Sequence, residues 1–337
     1  MIAVLTGGTG GAKFVDGLRQ IVAPNELTII VNTGDDLRWW GLHVAPDLDS
    51  ITYMLADKLS QERGWGVQGD TFFCLQAMEQ MGQPAWFKAG DRDLATHIFR
   101  SKLLAEGKTL SEATSEIANR LGIRARILPM SNSRVETRVL TPVGELSFEE
   151  YFVQRRYQDS VESVRFDGAS DATPAPGVID AIRTADVVLL APSNPVTSMG
   201  PILAVPGIRE ALRGSRAGIV AVSPIVGEAA VTGPAGSLMA AQGFAVSIAG
   251  VADFYRDFLD QLVVDAQDAP AAEELRKTGL RVHCTPTIMR KHEDRIGLAK
   301  SVLEAAMQPQ TACVVAGLRP ATGHSPVTTQ ARALERA

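Results

Sequence analysis

The first thirteen residues constrain the fold of this 337-residue chain most strongly. A short apolar run, residues 2–5, leads into a segment of four glycines that ends in a lysine, residues 6–13. Glycine lets the backbone bend sharply and approach an anion, and the amides at the start of the next helix then point toward that anion. The pattern therefore predicts a buried strand, a phosphate-binding turn and a helix. We expect five residues of the turn to bind phosphate groups: Gly8, Thr9, Gly10, Gly11 and Lys13.

The glycine turn does not complete either of two common nucleotide-binding patterns. In a P-loop a glycine directly precedes the lysine, whereas here Ala12 precedes Lys13. In the dinucleotide-binding pattern a small residue stands where this chain has Lys13. A tight strand-to-helix turn without a ligand is the alternative interpretation, and the patterns later in the chain favour a ligand.

Three further apolar runs have the length of a strand and end in turn-forming residues: 27–31, 187–191 and 218–222. Continuous apolar strands separated by helix-length segments are typical of a parallel sheet covered on both faces. In such sheets ligands bind beyond the carboxyl ends of the strands. We therefore predict an α/β fold with a Rossmann-like parallel sheet and helices on both faces, whose loops line one crevice.

The remaining segments indicate additions to this core. Residues 50–126 read as a helical insertion with helices at 51–59, 71–81, 95–106 and 110–121, the last capped by Thr109 or Ser111. A small hairpin is predicted at 136–141 and from 146 onward, and a helix at 178–184. We expect residues 1–306 to form a single domain. Residues 307–337 lose apolar periodicity, which predicts a mobile tail.

The composition excludes several classes of protein. A content of 45% apolar and 21% charged residues is ordinary for a globular protein, and a net charge of −5 gives no basic field for nucleic acid. Three widely spaced cysteines form neither a zinc pattern nor a disulfide framework. No apolar run approaches the roughly 20 residues that cross a bilayer, and the first run is too short for a signal peptide. We expect a cytoplasmic protein that binds neither nucleic acid nor membrane.

Four aspartates cluster near the expected crevice: Asp35 and Asp36 after the second strand, then Asp47 and Asp49. On extended backbone the last two would face the same way. A carboxylate about 4 Å from a phosphate charge costs roughly 4 kcal/mol at an effective dielectric constant of 20, so the cluster needs a cation. Mg²⁺ binds carboxylates together with phosphate oxygens. We predict Asp35 and Asp49 as metal ligands, with Asp36 and Asp47 as alternatives; Asp47 or Asp49 alone could instead cap a helix beginning near Ser50.

Other polar and aromatic residues are candidates for binding. Arg92 precedes a predicted helix and could grip a phosphate or carboxylate with two nitrogens, or form a surface ion pair. His97 is more typical of a packed helical histidine than of a catalyst. Ser193 and Asn194 lie in a proline-rich loop that suits recognition of a base or ribose. Trp65, between two glycines, could stack on a flat ring or pack in the core.

The chain resembles a known family, that of 2-phospho-L-lactate transferase and phosphoenolpyruvate transferase in coenzyme F-420 biosynthesis. Seven blocks carry the resemblance in family order, and together they span roughly residues 1–265. Each block is weak alone and the set is highly specific. The blocks are residues 7–13, 32–36, 46–49, 90–97, 127–131, 192–198 and 233–236.

The resemblance implies a Rossmann-like, Mg²⁺-dependent transferase that is often a homodimer. Its acceptor is the deazaflavin Fo, and its donor is a guanosine diphosphate ester of a three-carbon acid: lactate, enolpyruvate or glycerate. The terminal ribityl hydroxyl of Fo attacks the phosphorus next to the acid, and GMP leaves. On this basis the glycine turn and Lys13 bind the donor phosphates, and Ser193 and Asn194 bind the guanosine. Asp49 and Arg92 contact Fo and carry catalysis.

Two other functions remain open from the residues. A regulator of the same fold that binds nucleotide sugars would share the glycine turn, but the complete block at 90–97 favours the enzyme. An NAD-dependent dehydrogenase rests only on residues 8–10, and Lys13 together with the aspartate cluster argues against it. The sequence does not decide which three-carbon acid the donor carries, since pockets discriminate such small differences by only about 1–3 kcal/mol.

Overall fold

The computed structural model describes residues 1–307 of the chain. The described part contains fourteen strands and twelve α-helices, together with two short π-helical segments at Glu150–Gln154 and Pro195–Met199. The strands are β1 Ile2–Thr6, β2 Leu27–Val31, β3 Leu37–Trp39, β4 Leu42–Val44, β5 Arg126–Pro129, β6 Glu136–Thr141, β7 Gly144–Ser147, β8 Ser163–Asp167, β9 Val187–Leu190, β10 Gly218–Val222, β11 Ile225–Val226, β12 Ala229–Ala230, β13 Gln261–Asp265 and β14 Arg281–Thr285. The helices are α1 Gly8–Arg19, α2 Pro46–Leu55, α3 Phe73–Gln80, α4 Asp91–Ala105, α5 Leu110–Arg120, α6 Val178–Thr184, α7 Gly200–Ala204, α8 Ile208–Arg213, α9 Ala235–Ala241, α10 Ile248–Tyr255, α11 Ala269–Lys277 and α12 His292–Met307.

Seven strands form one sheet in the order β14-β13-β10-β9-β1-β2-β5, and every neighbouring pair is parallel. From β1 the chain moves outward to β2 and β5, then returns to β9 on the other side of β1. This reversal is the topological switch point of a Rossmann-like sheet, where a crevice opens at the carboxyl ends of β1 and β9. The predicted fold class is therefore confirmed.

The four apolar runs recognised in the sequence are β1, β2, β9 and β10. Every residue of β2 and β9 is buried, as expected for central strands covered by helices on both faces. The sequence analysis missed β5, β13 and β14 as strands of this sheet. The short strand β5 ends in Pro129, and β14 is mostly only half-buried, so neither presents a continuous apolar run.

The four predicted helices of the insertion correspond to α2, α3, α4 and α5, but the prediction for the first was wrong in one important respect. Helix α2 begins at Pro46, because proline is well suited to the first position of a helix. Asp47 and Asp49 therefore lie in the first helical turn, and neither is the capping residue, which is Ala45. Residues two apart in a helix point about 200° apart, so the expectation that these carboxylates face the same way is also wrong.

Other local predictions are confirmed. Thr109 caps α5 by accepting a hydrogen bond from the backbone N–H of Glu112, and the Glu112 carboxylate bonds the backbone N–H of Thr109 in return. The helix predicted at 178–184 is α6. The hairpin of β6 and β7 forms as expected, and β8 extends it to a three-stranded antiparallel sheet. The backbone N–H of Thr137 donates to the carbonyl oxygen of Gly34 (2.7 Å), which ties this sheet to the loop after β2.

The last described helix, α12, packs on α1, which carries the glycine turn. Gly17 permits the contact, since a Cβ there would lie 2.1 Å from the carbonyl oxygen of Arg295. The predicted tail at 307–337 lies outside the described residues apart from Met307, the last residue of α12. Within residues 1–307 the structure contains no helix with the length and apolar character needed to cross a membrane.

Candidate active site

A cleft of about 1070 Å³ opens at the carboxyl edge of the sheet, at the switch point between β1 and β9. It is lined by the glycine turn, the start of α2, the loops after β9 and β10, and residues of the segment 148–156. Gly11 and Arg92 do not line it, whereas eight of the predicted site residues do. These eight are Gly8, Thr9, Gly10, Lys13, Asp35, Asp49, Ser193 and Asn194.

The glycine turn is wedged between neighbouring backbone segments. A Cβ on Gly10 would lie 2.6 Å from the carbonyl oxygen of Pro192, and Gly8 has a left-handed φ of +65° that glycine adopts without strain. Gly11 instead faces Thr6 and Ser193, whose hydroxyl oxygens would lie 2.0 and 2.7 Å from a Cβ. Gly11 is thus placed where the loop packs on its neighbours, outside the cleft lining. The first turn of α1 carries no acidic residue of its own, but the Asp47 carboxylate bonds the N–H of Gly8, the first residue of the helix, and so already faces the positive end of its dipole.

Asp47 and Asp35 are joined through Asn32, a residue to which the sequence analysis assigned no role of its own. The side-chain amide of Asn32 donates to Asp47 Oδ2 (2.9 Å) and to Asp35 Oδ2 (3.1 Å). Its carbonyl oxygen accepts from the backbone N–H of Gly34 (2.8 Å), which fixes the orientation of the amide. Asp47 Oδ1 also accepts from the backbone N–H of Gly8 (2.6 Å). These bonds hold two buried carboxylates beside the glycine turn.

Burial and mutual repulsion perturb these carboxyl groups. Burial raises the pKa of Asp47 to about 6, although the hydrogen bonds from Asn32 and the Gly8 N–H oppose the shift. Burial, followed by the charges of Asp47 and Glu149, raises the pKa of Asp35 well above its ordinary value. Burial and the charges of Asp47 and Asp36 raise the pKa of Glu149 to about 8. Several acids therefore crowd one site. Glu149 was missed because no local pattern links it to the distant residues Asp35 and Asp47.

This cluster fits a cation. Asp35 Oδ1 is buried and accepts no well-formed hydrogen bond within the described chain, although the Thr137 hydroxyl opposes the rise in its pKa, and the neighbouring carboxylates repel one another. A divalent cation bound by carboxylate oxygens would give Asp35 Oδ1 a partner and would reduce the repulsion between the carboxylates. Hydrogen bonds join Asp35 to Asp47 through Asn32, and among residues 1–307 no hydrogen bond joins Asp35 to Asp49. Asn32 thus links Asp35 to Asp47, and binding of Mg²⁺ by Asp35 stays a prediction.

Asp49 faces a different set of partners across α2. Arg100 bonds both of its carboxylate oxygens, with Nη1 lying 3.1 Å from Oδ2 and Nη2 bonded to Oδ1. His97 lies between two aspartates, with Nδ1 3.5 Å from Asp49 Oδ2 and Nε2 3.4 Å from Asp93 Oδ2. Tyr53 O–H donates to Asp93 (2.7 Å). His97 is 1% exposed, which agrees with a packed histidine, yet it also lines the cleft.

Asp49, Asp93 and His97 each place one possible ligand atom within 4.8 Å of the others. The guanidinium of Arg100 bonds both oxygens of Asp49 and therefore competes with a metal ion for that carboxylate. The cluster is a hydrogen-bonded and charge-balanced unit, and metal binding by Asp49 stays a prediction.

Arg92 lies away from the cleft. Its side chain is exposed and donates from Nη1 to the carbonyl oxygen of Gln68 (3.1 Å), and its backbone N–H donates to Asp70 (2.7 Å). The alternative prediction, a surface ion pair of Arg92, does not form with any residue that the structure describes. The structure thus separates Arg92 from Asp49, the residue with which it was predicted to act.

Ser193 and Asn194 are tied to the protein itself. Ser193 Oγ donates to the carbonyl oxygen of Gly7 (2.7 Å), which binds the β9 loop to the glycine turn. Asn194 Oδ1 accepts from the backbone N–H of Val196 (3.0 Å) and so begins the π-helical segment Pro195–Met199. Both residues line the cleft, and their contact with a guanosine stays a prediction.

Aromatic rings and cations complete the lining. Trp65, Trp86, Phe87, Phe148 and Phe152 contribute rings to the cleft. Trp86 is braced edge-on by Trp39, with ring centroids 4.9 Å apart at 72°. Four cationic side chains line the same space and form no ion pair within the described part of the chain: Lys13, Lys88, Arg156 and Arg290. Burial, together with the charge of Arg295, lowers the pKa of Lys13.

Comparison with known proteins agrees with this geometry. The family model described as "2-phospho-L-lactate transferase CofD" matches residues 2–294. The 2-phospho-L-lactate transferase of Methanosarcina mazei is 40% identical over 302 residues, which cover 90% of this chain and 99% of that protein. The phosphoenolpyruvate transferase of Streptomyces griseus is 43% identical over 311 residues, which cover 90% and 98%.

A solved structure of a member of the UPF0052 family from Bacillus halodurans superposes with a TM-score of 0.63. It covers 90% of this chain and 98% of its own, at 18% sequence identity. Such a likeness shows a shared fold and says nothing about a shared ligand.

Proposed function

Because this chain belongs to the family of 2-phospho-L-lactate transferases, as its motifs predicted, we propose that it transfers a phospho-acid group to the deazaflavin Fo in coenzyme F-420 biosynthesis. The donor would be a guanosine diphosphate ester of a three-carbon acid, and GMP would leave. The predicted class of enzyme, a transferase, is confirmed by the relatives. One observation carries the proposal: the match to the relatives covers nine-tenths of the chain and includes nearly every element that lines the cleft.

The glycine turn supplies a place for the donor diphosphate. The first turn of α1 faces the cleft without an acidic neighbour in its own sequence, and Lys13 adds a positive charge one turn further along. Preorganised amides and fixed charges suit phosphoryl transfer, which depends on positioning and charge neutralisation more than on covalent chemistry. Gly8 differs from the other amides, because its N–H is already bonded to Asp47.

Asp35 and Asp47 would hold Mg²⁺, and Glu149 lies close enough to share the charge balance. When bound there, the ion would neutralise charge between carboxylate and phosphate oxygens. Asp49 would act separately. Arg100 fixes its orientation, and Asp49 lines the cleft, so its remaining lone pairs can accept a hydrogen bond from the attacking hydroxyl.

The deazaflavin ring would lie against the aromatic lining formed by Trp65, Trp86 and Phe87, since flat rings stack on such side chains. Arg92, predicted from the sequence to contact Fo, is exposed outside the cleft, so we assign ring contact to these aromatic residues instead.

The test combines purified protein, Fo and Mg²⁺ with each of three donors, in which phospholactate, phosphoenolpyruvate or phosphoglycerate is joined to GMP. We expect one donor to yield GMP and an Fo phosphodiester in equal amounts, measured by mass spectrometry. All three are needed, because the relatives named for phospholactate and for phosphoenolpyruvate are similarly identical to this chain.

Failure of all three donors would contradict the proposal. Thermal protection by a UDP-sugar with none by Fo would favour the nucleotide-sugar-binding regulator instead. We also propose a cytoplasmic homodimer, as the resemblance implies, and sedimentation of the purified protein at twice the 36.0 kDa chain mass would support the dimer.

A further inference from the structure

Residues 148–157 form a wall beside the cleft; five of them line it, and none of the sequence motifs includes the segment. The wall follows β7 and contains the π-helical segment Glu150–Gln154. The rings of Phe148, Phe152 and Tyr157 stack in series, with centroids 5.4 and 5.6 Å apart and planes inclined by 7° and 18°. The backbone N–H of Tyr157 donates to the carbonyl oxygen of Tyr151 (2.8 Å). The stacked rings and this hydrogen bond connect the two ends of the wall.

Arg156 and Tyr157 are consecutive non-glycine residues in the left-handed region, with φ values of 52° and 46°. This conformation is unfavourable for side chains with a Cβ and persists only where the surroundings enforce it. The two adjacent arginines at this turn are both exposed and differ in their partners. Arg155 pairs with Asp159 through two nitrogens (2.8 and 3.0 Å), whereas Arg156 lines the cleft.

Arg156 is an exposed residue that lines the same cleft as the glycine turn. Within residues 1–307 it forms no ion pair, although Arg155 beside it is paired. Glu149, on the same wall, interacts electrostatically with Asp47, which bonds the glycine turn. A guanidinium matches a carboxylate with two parallel hydrogen bonds, a geometry that an ammonium cannot reproduce.

We propose that Arg156 binds the carboxylate of the three-carbon acid carried by the donor, while the glycine turn and Lys13 receive the diphosphate. The inference rests on the proposed function and deepens it, because it assigns recognition of the transferred acid to a residue outside every motif. Arg156 is a binding residue in this assignment, and it takes no part in bond making.

The test compares Arg156→Gln with Arg155→Gln, its neighbour on the same turn. We measure kcat/KM for the donor that the wild-type protein uses and the dissociation constant of GMP, which has no carboxylate. Arg156→Gln should lower kcat/KM by roughly 10- to 100-fold, the range for a lost hydrogen-bonded charge, and leave GMP binding within about twofold. Arg155→Gln should change neither quantity by more than about twofold. Arg156→Lys should recover part of the loss, since it restores the charge without the planar fork.

A glycine variant separates binding from folding. Arg156→Gly removes the strained Cβ at a left-handed position, so its melting temperature should be no lower than that of the wild type, while its kcat/KM falls as in Arg156→Gln.

Three results would overturn the assignment: equal behaviour of Arg156→Gln and Arg155→Gln, an equal loss of donor and GMP binding in Arg156→Gln, or a loss of kcat/KM in proportion to a lowered melting temperature. If the wild-type protein releases no GMP from any donor, the proposed function fails. If the wild type turns over and only the arginine comparison fails, the function stands and this assignment falls.

Discussion

The buried pair of Arg100 and Asp49 gives the most direct test of the electrostatics inferred for the cleft. Arg100 is 2% exposed and bonds both oxygens of a carboxylate that is itself buried. Substituting Arg100→Met keeps most of the side-chain volume and leaves the charge of Asp49 uncompensated. Breaking a buried pair in this way costs about 3–5 kcal/mol.

The size of the described domain converts this cost into a temperature. Unfolding entropy of about 2.1 cal/mol/K per residue gives roughly 0.6 kcal/mol/K for 307 residues, so the melting temperature should fall by about 5–8 °C. Arg155→Met is the matched control, because it breaks an exposed pair with Asp159 and should change the melting temperature by less than about 2 °C. The melting temperatures of both variants would be measured by differential scanning calorimetry at neutral pH.

A double variant separates charge from packing. Asp49→Leu in the Arg100→Met background replaces the pair with apolar side chains, which should return most of the lost stability. If the double variant melts as low as Arg100→Met alone, lost packing explains the effect and the charge argument is wrong. If Arg100→Met matches the Arg155→Met control, Arg100 does not compensate Asp49 at all.

Three further outcomes follow from the same site. The pKa of Glu149 is raised to about 8, so without metal its neutral form stabilises the fold fully below pH ~4.5, and this contribution is lost as the pH rises toward 8. In EDTA, Glu149→Gln should therefore raise the melting temperature at pH 8 and change it little at pH 5. Gly10→Ala places a Cβ 2.6 Å from a backbone oxygen and should lower the unfolding free energy measured in urea by about 1–3 kcal/mol. The control is Gly297→Ala on α12, where a Cβ would meet open space, and it should be neutral or stabilising. Asp47→Asn should raise the Mg²⁺ concentration for half-maximal rate by about tenfold or more. Asp49→Asn should lower kcat at saturating Mg²⁺ and leave that concentration unchanged. If both variants change both quantities equally, the assignment of Asp47 to the metal and of Asp49 to the hydroxyl is wrong.

Local signals in the sequence predicted local structure well. Thr109 followed by Glu112 indicates a capped helix because both halves of the capping interaction lie within one turn. The start of α2 was misplaced although its signal was present: the helix was expected to begin near Ser50, whereas proline is characteristic of the first helical position and Pro46 occupies it. That one displacement reversed the inferred orientation of Asp47 relative to Asp49.

The contrast between Arg92 and Arg100 depends on a pattern that the sequence contains. Asp93, His97 and Arg100 stand at positions i, i+4 and i+7 of α4 and therefore share one face. All three are buried, whereas Arg92 lies off that face and is exposed. A helix whose buried face carries an acid, a histidine and an arginine is unusual, since isolated charges are rarely buried. The helical periodicity of these polar residues therefore favours Arg100 over Arg92 as the partner of Asp49.

Contacts between distant segments could not be predicted in this way. Glu149 reaches the carboxylate cluster because the three-stranded sheet is tied to the loop after β2, and Arg156 reaches the cleft through two left-handed residues. The periodicity of residues along a strand or a helix does not predict such contacts between distant segments. They depend on how one sheet is fixed against another.

The helical geometry of α2 explains how one short motif can serve two chemical purposes. Asp47 turns toward Asn32 and the glycine turn, where burial raises its pKa and neighbouring acids make a cation favourable. Asp49 turns toward Arg100 and His97, where a positive charge is already in place. Had both carboxylates pointed into one cluster, its acids would have needed still more positive charge to ionise together at neutral pH. Separating them by about 200° around the helix lets one carboxylate share a metal with phosphate oxygens while the other remains available to orient a hydroxyl in the same cleft.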